Sequence, residues 1–341
     1  MNKHKSFRKF VLIGIFFLFV MVLFFTVSYN KAIDKPLKSN EDTITIEVKQ
    51  GEGFNDILNK LDKENKLSSK FFVKIKLAMD KRNFKLHEGI YEINTNATLE
   101  SFINSLENEN GDKDLVKLTI PEGYSIDEIA DTVDEKGICS KEDFLKAVKN
   151  YDLPEFVKAD NKKRYNLEGY LYPDTYLVKK DSDGNSLIKT MLNRFSEVLQ
   201  QVKEETKTDL KDEEVEKIIN IASIIEKEAR VPGDRTLISS VIYNRLDKDM
   251  KLQIDAAVIY ALGYHVDKVL NKHLEIDSPY NVYRYKGLPV GPISNPGIDC
   301  IKAALMPAKT EYLYYVLQTD KTHYFTNNYN DFLKKKKELG Y

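Results

Sequence analysis

Residues 213–231, EEVEKIINIASIIEKEARV, carry the pattern that decides the fold of the middle of this 341-residue chain. At about 100° per residue of an α-helix, the apolar side chains of this stretch gather on one arc. The arc consists of Val215, Ile218, Ile219, Ala222, Ile225 and Ala229. A second face, which the pattern predicts to be solvated, consists of Glu216, Asn220, Ser223 and Lys227. Glu226 lies on the apolar arc, so this helix holds an acid where core packing does not require one.

The two acids of the EKE triplet are therefore not equivalent, since Glu228 has a more peripheral position than Glu226. A carboxyl group on a half-buried apolar face loses the solvation of its charged form, which raises its pKa and suits a general acid. Two other interpretations stay open: an ion pair between Glu226 and an arginine such as Arg245, and a nucleophile pair of Ser223 and Lys227.

The first residues predict a membrane anchor. Residues 10–27 contain no charge, and at about 1.5 Å per residue they span roughly 27 Å, close to the thickness of a hydrocarbon core. Four basic residues precede this run, which predicts a cytoplasmic tail at 1–9, an anchor in the lipid bilayer at 10–28 and an extracytoplasmic remainder. A cleaved signal peptide is the alternative, but no small-x-small cleavage site follows the run.

Composition excludes several function classes. Beyond the first 28 residues the chain has 48 basic and 53 acidic side chains. This slightly acidic balance argues against nucleic-acid binding. Cys139 and Cys300 lie far apart in sequence and indicate no disulfide framework, although whether they pair stays open. We expect no metal site and no cofactor, because the histidines show no paired ligand spacing and no glycine loop precedes a lysine.

The chain repeats itself weakly with a shift of 72 residues. TITIEVKQGEGFNDILNKL, from residue 43, matches the segment that contains LTIPEGYSIDEIADTV, from residue 118. The matched pairs include Val48 and Ile120, Gly51 and Gly123, Ile57 and Ile129, Leu61 and Val133, Asp62 and Asp134, Ser68 and Ser140, and Phe72 and Phe144. The pattern predicts two strand-turn-helix-helix units, with chance similarity of amphipathic segments as the alternative.

Several longer motifs follow one another toward the carboxyl end. They are EGYLYPDTY, IASIIEKEAR, VIYNRLDKDMKLQIDAAVIYALG, SPYNVYRYKGLPVGPISNPG, ALMPAKTEYLYYV and THYF. In this order they resemble the YceG-like family of endolytic murein transglycosylases. The resemblance implies an α+β fold: a single transmembrane helix, a linker at 29–42, a LysM-like α+β module at 43–108, a second unit at 109–160, and a mixed α/β catalytic domain at 161–341.

The resemblance also implies a reaction. It implies cleavage of the β-1,4 bond between N-acetylmuramic acid and N-acetylglucosamine within nascent peptidoglycan, with Glu226 as acid and then base and 1,6-anhydro ends as products. Candidates for lining the glycan cleft are Glu168, Gln253, Asp255, Tyr280, Asn281 and Asn295, each with a turn or capping role as the alternative. Glycan strands and membrane-bound synthases are the expected partners. A noncatalytic wall-binding scaffold is the other function that the sequence leaves open.

Overall fold

The computed structural model describes residues 2–39, 42–80, 84–107, 115–264, 266 and 268–340, with side chains from Phe16 onward in the first helix. The chain divides into two compact units, Met1–Leu115 and Val116–Tyr341.

The first unit contains the long helix α1, a pair of strands and short helices. Its elements are α1 (Asn2–Asp34), β1 (Thr43–Val48), α2 (Phe54–Lys63), α3 (Lys70–Asp80), β2 (Gly89–Asn94) and α4 (Leu99–Glu107). The strands are antiparallel, with Thr43 opposite Asn94, and alternate residues of β1 face the core. Among the described residues, α1 holds one stretch, Phe16–Asp34, long and apolar enough to cross a membrane, and 6% of it is buried. This fits the predicted anchor and would also fit a signal sequence.

The second unit is mostly helical, with two strand pairs, β3–β4 and antiparallel β5–β6. Its elements are β3 (Leu115–Thr119), α5 (Ile126–Glu135), α6 (Lys141–Asn150), β4 (Thr175–Lys179), α7 (Gly184–Thr206), α8 (Asp212–Glu228), α9 (Arg235–Asp247), α10 (Asp255–Leu262), α11 (Ile298–Leu305), β5 (Tyr314–Leu317), β6 (His323–Thr326) and α12 (Tyr329–Leu339). One apolar core joins α5 to α11 and includes most of α8.

The structure confirms the predicted repeat. Helices α2 and α5 begin 72 residues apart and also end 72 residues apart. Gly51 and Gly123, in the turns before these helices, share a φ of 81°, a left-handed conformation that favours glycine. The repeat is longer than the sequence predicted, because β2 and α4 are matched by β4 and α7, giving the order β-α-α-β-α twice. An insertion between α6 and β4 in the second copy carries the EGYLYPDTY motif.

The register of the repeat changes by one residue before its second helix. Val73 and Phe144, both fully buried, donate their N–H groups to Ser69 and Ser140 respectively, so the shift here is 71 residues. The pairings of Ser68 with Ser140 and of Phe72 with Phe144 predicted from the sequence are therefore wrong. The first copy has one more residue in the preceding turn, and this removes Phe72 from the core position.

Helix α8 is enclosed on nearly all sides, so its predicted solvated face is wrong. Asn220 and Ser223 are 3% and 0% exposed. The loop that precedes α11 covers this face: Asn220 donates to the Pro289 carbonyl at 2.8 Å, and the Ile293 N–H donates to the Ser223 hydroxyl at 3.1 Å. Within α8, the acids Glu226 and Glu228 in the last turn are only half-buried.

Candidate active site

Glu226 lies in the last turn of α8 and faces the beginning of α11. Its carboxylate accepts the Gly297 N–H at 2.9 Å and lies near Cys300, where burial and the charge of Glu226 raise the pKa of the thiol. Gly297 is the N-cap residue of α11, where the partial positive charge of the helix stabilises an anion. The carboxylate therefore contacts polar groups instead of the apolar surroundings that the helix pattern predicted.

A second acid, Glu122, approaches the same place from the turn after β3. A Cβ atom added to Gly297 would overlap the Glu122 carboxylate, so this close approach requires glycine. Because both carboxylates lie against Gly297, they are within roughly 8 Å of each other. Partial burial raises the pKa of Glu122, and the charge of Glu226 raises it further. The two acids form a coupled pair.

Charged neighbours complete this cluster. Arg235 donates to Asp299 at 2.7 Å, and its positive charge opposes the rise in the pKa of Glu122. Sequence reasoning missed Glu122, Arg235, Asp299 and Cys300. The repeat contained one signal for Glu122: the second copy has an acid at the turn position where the first copy has the uncharged Gln50.

Asn295 holds the turn that carries Glu122 against the loop that carries Gly297. Its side-chain oxygen accepts the Leu171 N–H at 2.9 Å, and its amide group donates to the Tyr124 carbonyl at 2.9 Å. Its carbonyl accepts the Gly123 N–H at 2.9 Å. Asn295 thereby fixes the turn that carries Glu122 beside the loop that carries Gly297.

Glu168 is fully buried at the start of α5. It accepts the Ile126 N–H at 3.1 Å and the Tyr260 hydroxyl at 2.8 Å, and burial raises the pKa of its carboxyl group to about 8. The following residue, Gly169, has a φ of 92° and leaves no room for a Cβ atom, which would lie 2.7 Å from Ile219. The motif EGYLYPDTY therefore packs against α8.

The six predicted cleft residues separate into two groups. Four are buried and bonded within the protein: Glu168, Tyr280, Asn281 and Asn295. Asn281, for example, donates to the carbonyls of Leu274 and Ile276, both at 2.8 Å. In this structure none of these four side chains reaches the open surface, and Asn295 donates to the Glu168 carboxyl group beside the turn that carries Glu122. Gln253 and Asp255 are exposed. Contact of any of the six with substrate stays a prediction.

Glu228 belongs to a different cluster. It accepts the Tyr315 hydroxyl at 3.0 Å, and burial raises its pKa to about 7, with the charge of Asp255 adding to the rise. Asp255 in turn accepts the Tyr283 hydroxyl at 2.6 Å. Residues two apart on a helix point about 200° from each other, so Glu226 and Glu228 leave α8 on opposite sides. The prediction of a merely peripheral Glu228 is wrong.

The two other interpretations of the α8 acid are not supported by the contacts. Arg245 donates to the carbonyls of Leu313, at 2.6 Å, and Leu252, at 2.7 Å, instead of pairing with Glu226. Ser223 is buried and donates to Asn220, whereas Lys227 donates to the Gly123 carbonyl.

Thiols and possible metal ligands form no further centre in the part of the chain that the structure describes. Cys139 and Cys300 are both free. No group of three or more His, Cys, Asp or Glu side chains could hold a metal ion among the described residues. The chemistry visible at this site is that of its carboxyl groups.

Two neighbouring acids at a helix N-terminus, fixed by a buried amide network, form an arrangement that acid–base chemistry can use. The sequence profile of the YceG-like family matches residues 46–338, and the chain belongs to this family. An endolytic murein transglycosylase of Bacillus subtilis is 34% identical over 91% of this chain and 89% of its own length. One of Streptococcus pneumoniae is 33% identical over 89% of this chain and 60% of its own length. The crystal structure of a YceG-like protein of Listeria monocytogenes, 34% identical, matches 87% of this chain and 100% of its own with a TM-score of 0.57.

Proposed function

We propose that the protein is a membrane-anchored peptidoglycan lytic transglycosylase that cuts nascent glycan strands internally. The observation that carries the proposal is the environment of Glu226. This half-buried acid accepts a hydrogen bond from the Gly297 N–H, and its charge raises the pKa of the neighbouring Glu122. Relatives named endolytic murein transglycosylase, 33–34% identical over about nine tenths of this chain, support the choice of substrate.

Glu226 acts first as the general acid. It gives its proton to the glycosidic oxygen between N-acetylmuramic acid and N-acetylglucosamine, and the bond from that oxygen to the muramyl anomeric carbon breaks. N-acetylglucosamine leaves with a free 4-hydroxyl group. The muramyl residue becomes oxocarbenium-like, and the Glu226 carboxylate faces the developing positive charge.

Glu226 then acts as the base. The muramyl C6 hydroxyl attacks its own anomeric carbon while Glu226 takes the hydroxyl proton, which closes the 1,6-anhydro ring and restores the acid. Because the nucleophile is intramolecular, its effective concentration is high and no water needs activation. One carboxyl group therefore serves both steps.

Glu122 is a second carboxyl group that can carry the proton used in the first step. Two carboxylates this close resist simultaneous ionisation, so the pair retains a proton more readily than an isolated glutamate. The Gly297 N–H stabilises the Glu226 carboxylate once it has given up its proton. The exposed residues Gln253 and Asp255 are our candidates for direct glycan contacts.

Two features of location and binding belong to the proposal. Helix α1 spans the membrane once, with the amino end in the cytoplasm and both compact units outside. The segment at 43–108, whose strands and helices run in the order β-α-α-β-α, is LysM-like and meets glycan or membrane-bound synthases.

Digestion of glycan strands tests the activity. The full chain in detergent should release fragments with 1,6-anhydro ends, which mass spectrometry identifies because they are one water lighter than fragments with reducing ends. Glu226→Gln keeps an oxygen for the Gly297 N–H but removes the proton, and it should abolish release. Reducing ends would indicate a hydrolase instead. No release by the unaltered chain, together with retained glycan binding, would favour the noncatalytic scaffold.

A further inference from the structure

Helix α3 has an apolar face that the core of its unit does not use. Val73 is fully buried and Leu77 packs against the core on one side of the helix. The opposite side carries Phe71, Ile75, Ala78 and Met79, which share one face at helical spacing. Phe71 is 63% exposed and Met79 is 69% exposed. A helix that is apolar on both sides normally contacts a second apolar surface in addition to its own core.

The second copy of the repeat provides an internal comparison. With the 71-residue shift that relates α3 to α6, the core positions stay apolar, as Phe144 and Val148. The four outer positions are polar in α6: Glu142, Lys146, Lys149 and Asn150. The repeat fold itself therefore does not require an apolar outer face, and the face of α3 has a separate cause.

The outer face of α3 adjoins the apolar anchor through Phe72, whose ring lies 5.3 Å from that of Phe71. The Phe72 ring lies 4.8 Å from that of Phe25 and 6.1 Å from that of Tyr29, both on α1. Phe25 lies two residues before the end of the charge-free run 10–27, or about 3 Å along a helix axis. If α1 spans a membrane, α3 begins at the outer boundary of the hydrocarbon layer.

Basic residues border this face. The segment from residue 70 to residue 85 contains six lysines and arginines and one acid, Asp80. Lys74 and Lys70, which pairs with Asp62, flank the apolar face on one side, and Lys76, which pairs with Asp80, flanks it on the other. Long basic side chains around an apolar strip fit the anionic headgroups and acyl chains of a lipid surface.

We propose that the outer face of α3, formed by Phe71, Ile75, Ala78 and Met79, lies in the boundary between headgroups and acyl chains of the bilayer that α1 crosses. This rests on the proposed anchor. The first unit is then held against the membrane surface by a second, in-plane element, and the anchor does not act as a free tether.

Tryptophan fluorescence tests this directly, because the chain contains no tryptophan. Phe71→Trp is compared with Asn55→Trp and Phe19→Trp, each in the full chain in vesicles of phosphatidylglycerol and phosphatidylethanolamine. Asn55 is exposed at the start of α2. Just beyond the other end of α2, the Lys66 carbonyl accepts a hydrogen bond from the Lys38 N–H, in the segment that follows the anchor helix. Phe19 lies in the anchor itself.

Lipid brominated near the headgroup end of its chains should quench Phe71→Trp at least about twofold more than Asn55→Trp. Adding Ile75→Lys and Met79→Asn, the residues that α6 carries, should bring quenching down to the control level. If Phe19→Trp is quenched by deeply brominated lipid and Phe71→Trp is not, the inference fails and the anchor stands. A blue-shifted but unquenched Phe71→Trp would mean that protein, such as a second copy of the chain, covers the face. If Phe19→Trp is also unquenched, the proposed anchor itself fails.

Discussion

Glu122 and Glu226 meet at Gly297, one against its α-carbon and the other on its N–H. The two acids come from distant segments, a turn of the second repeat and the end of α8. Their approach to each other depends on a residue without a side chain. This arrangement makes the chemistry of the site sensitive to changes that leave both carboxyl groups in place.

Gly297→Ala should lower activity by at least about tenfold, because its Cβ atom would displace the Glu122 carboxylate. The φ of Gly297 is -75°, which alanine adopts without strain, so thermal stability should change little. Gly233→Ala is the matched control, since a Cβ atom there meets open space. Full activity of Gly297→Ala would show that the approach of Glu122 does not matter.

Glu122→Gln should move the alkaline limb of the pH–activity profile to lower pH. Partial burial and the charge of Glu226 raise the pKa of Glu122, so Glu122 keeps a proton in the site toward neutral pH, and glutamine removes this titrating group while keeping the size of the side chain. Initial rates between pH 5 and 8 measure the shift. A uniform loss of activity with no change in the shape of the profile would instead indicate a positioning role.

Replacement of each α8 acid separates the two clusters. Glu226→Gln should reduce turnover by about 10²–10⁴-fold, the usual contribution of a general acid. Glu228→Gln should retain substantial turnover, because the Tyr315 hydroxyl can still donate to the amide oxygen. The reverse order of activities would transfer the catalytic role to Glu228.

Burial of Glu168 predicts a pH-dependent stability. Because its folded pKa is raised to about 8, the native state binds the proton more tightly than the unfolded chain does. This contribution is fully present below the unfolded pKa and is lost as the pH rises through the folded value, by at most about 1.4 kcal/mol per pH unit. Thermal unfolding between pH 5 and 8 should show this slope, and Glu168→Gln should flatten it. An unchanged slope in the variant would contradict the assignment.

The helix and the repeat could be read from sequence because both depend on local spacing. The 3.6-residue period of α8 selected Glu226, and the matched turns at Gly51 and Gly123 set the repeat. The surroundings of Glu226 could not be read, since Gly297, Cys300 and Glu122 reach it through tertiary packing. For the same reason Asn220 and Ser223 were expected in water, although a proline-rich loop covers them.

The one-residue difference between the two copies of the repeat suggests how a protein can diversify its surfaces without redesigning its interior. The shorter turn leaves Phe144 in the core of one copy, whereas the longer turn directs Phe72 toward α1 in the other. Neither change disturbs the paired strands or the capped helices. A single insertion in a surface turn can therefore redirect one helix face toward a new neighbour while the rest of the module stays interchangeable.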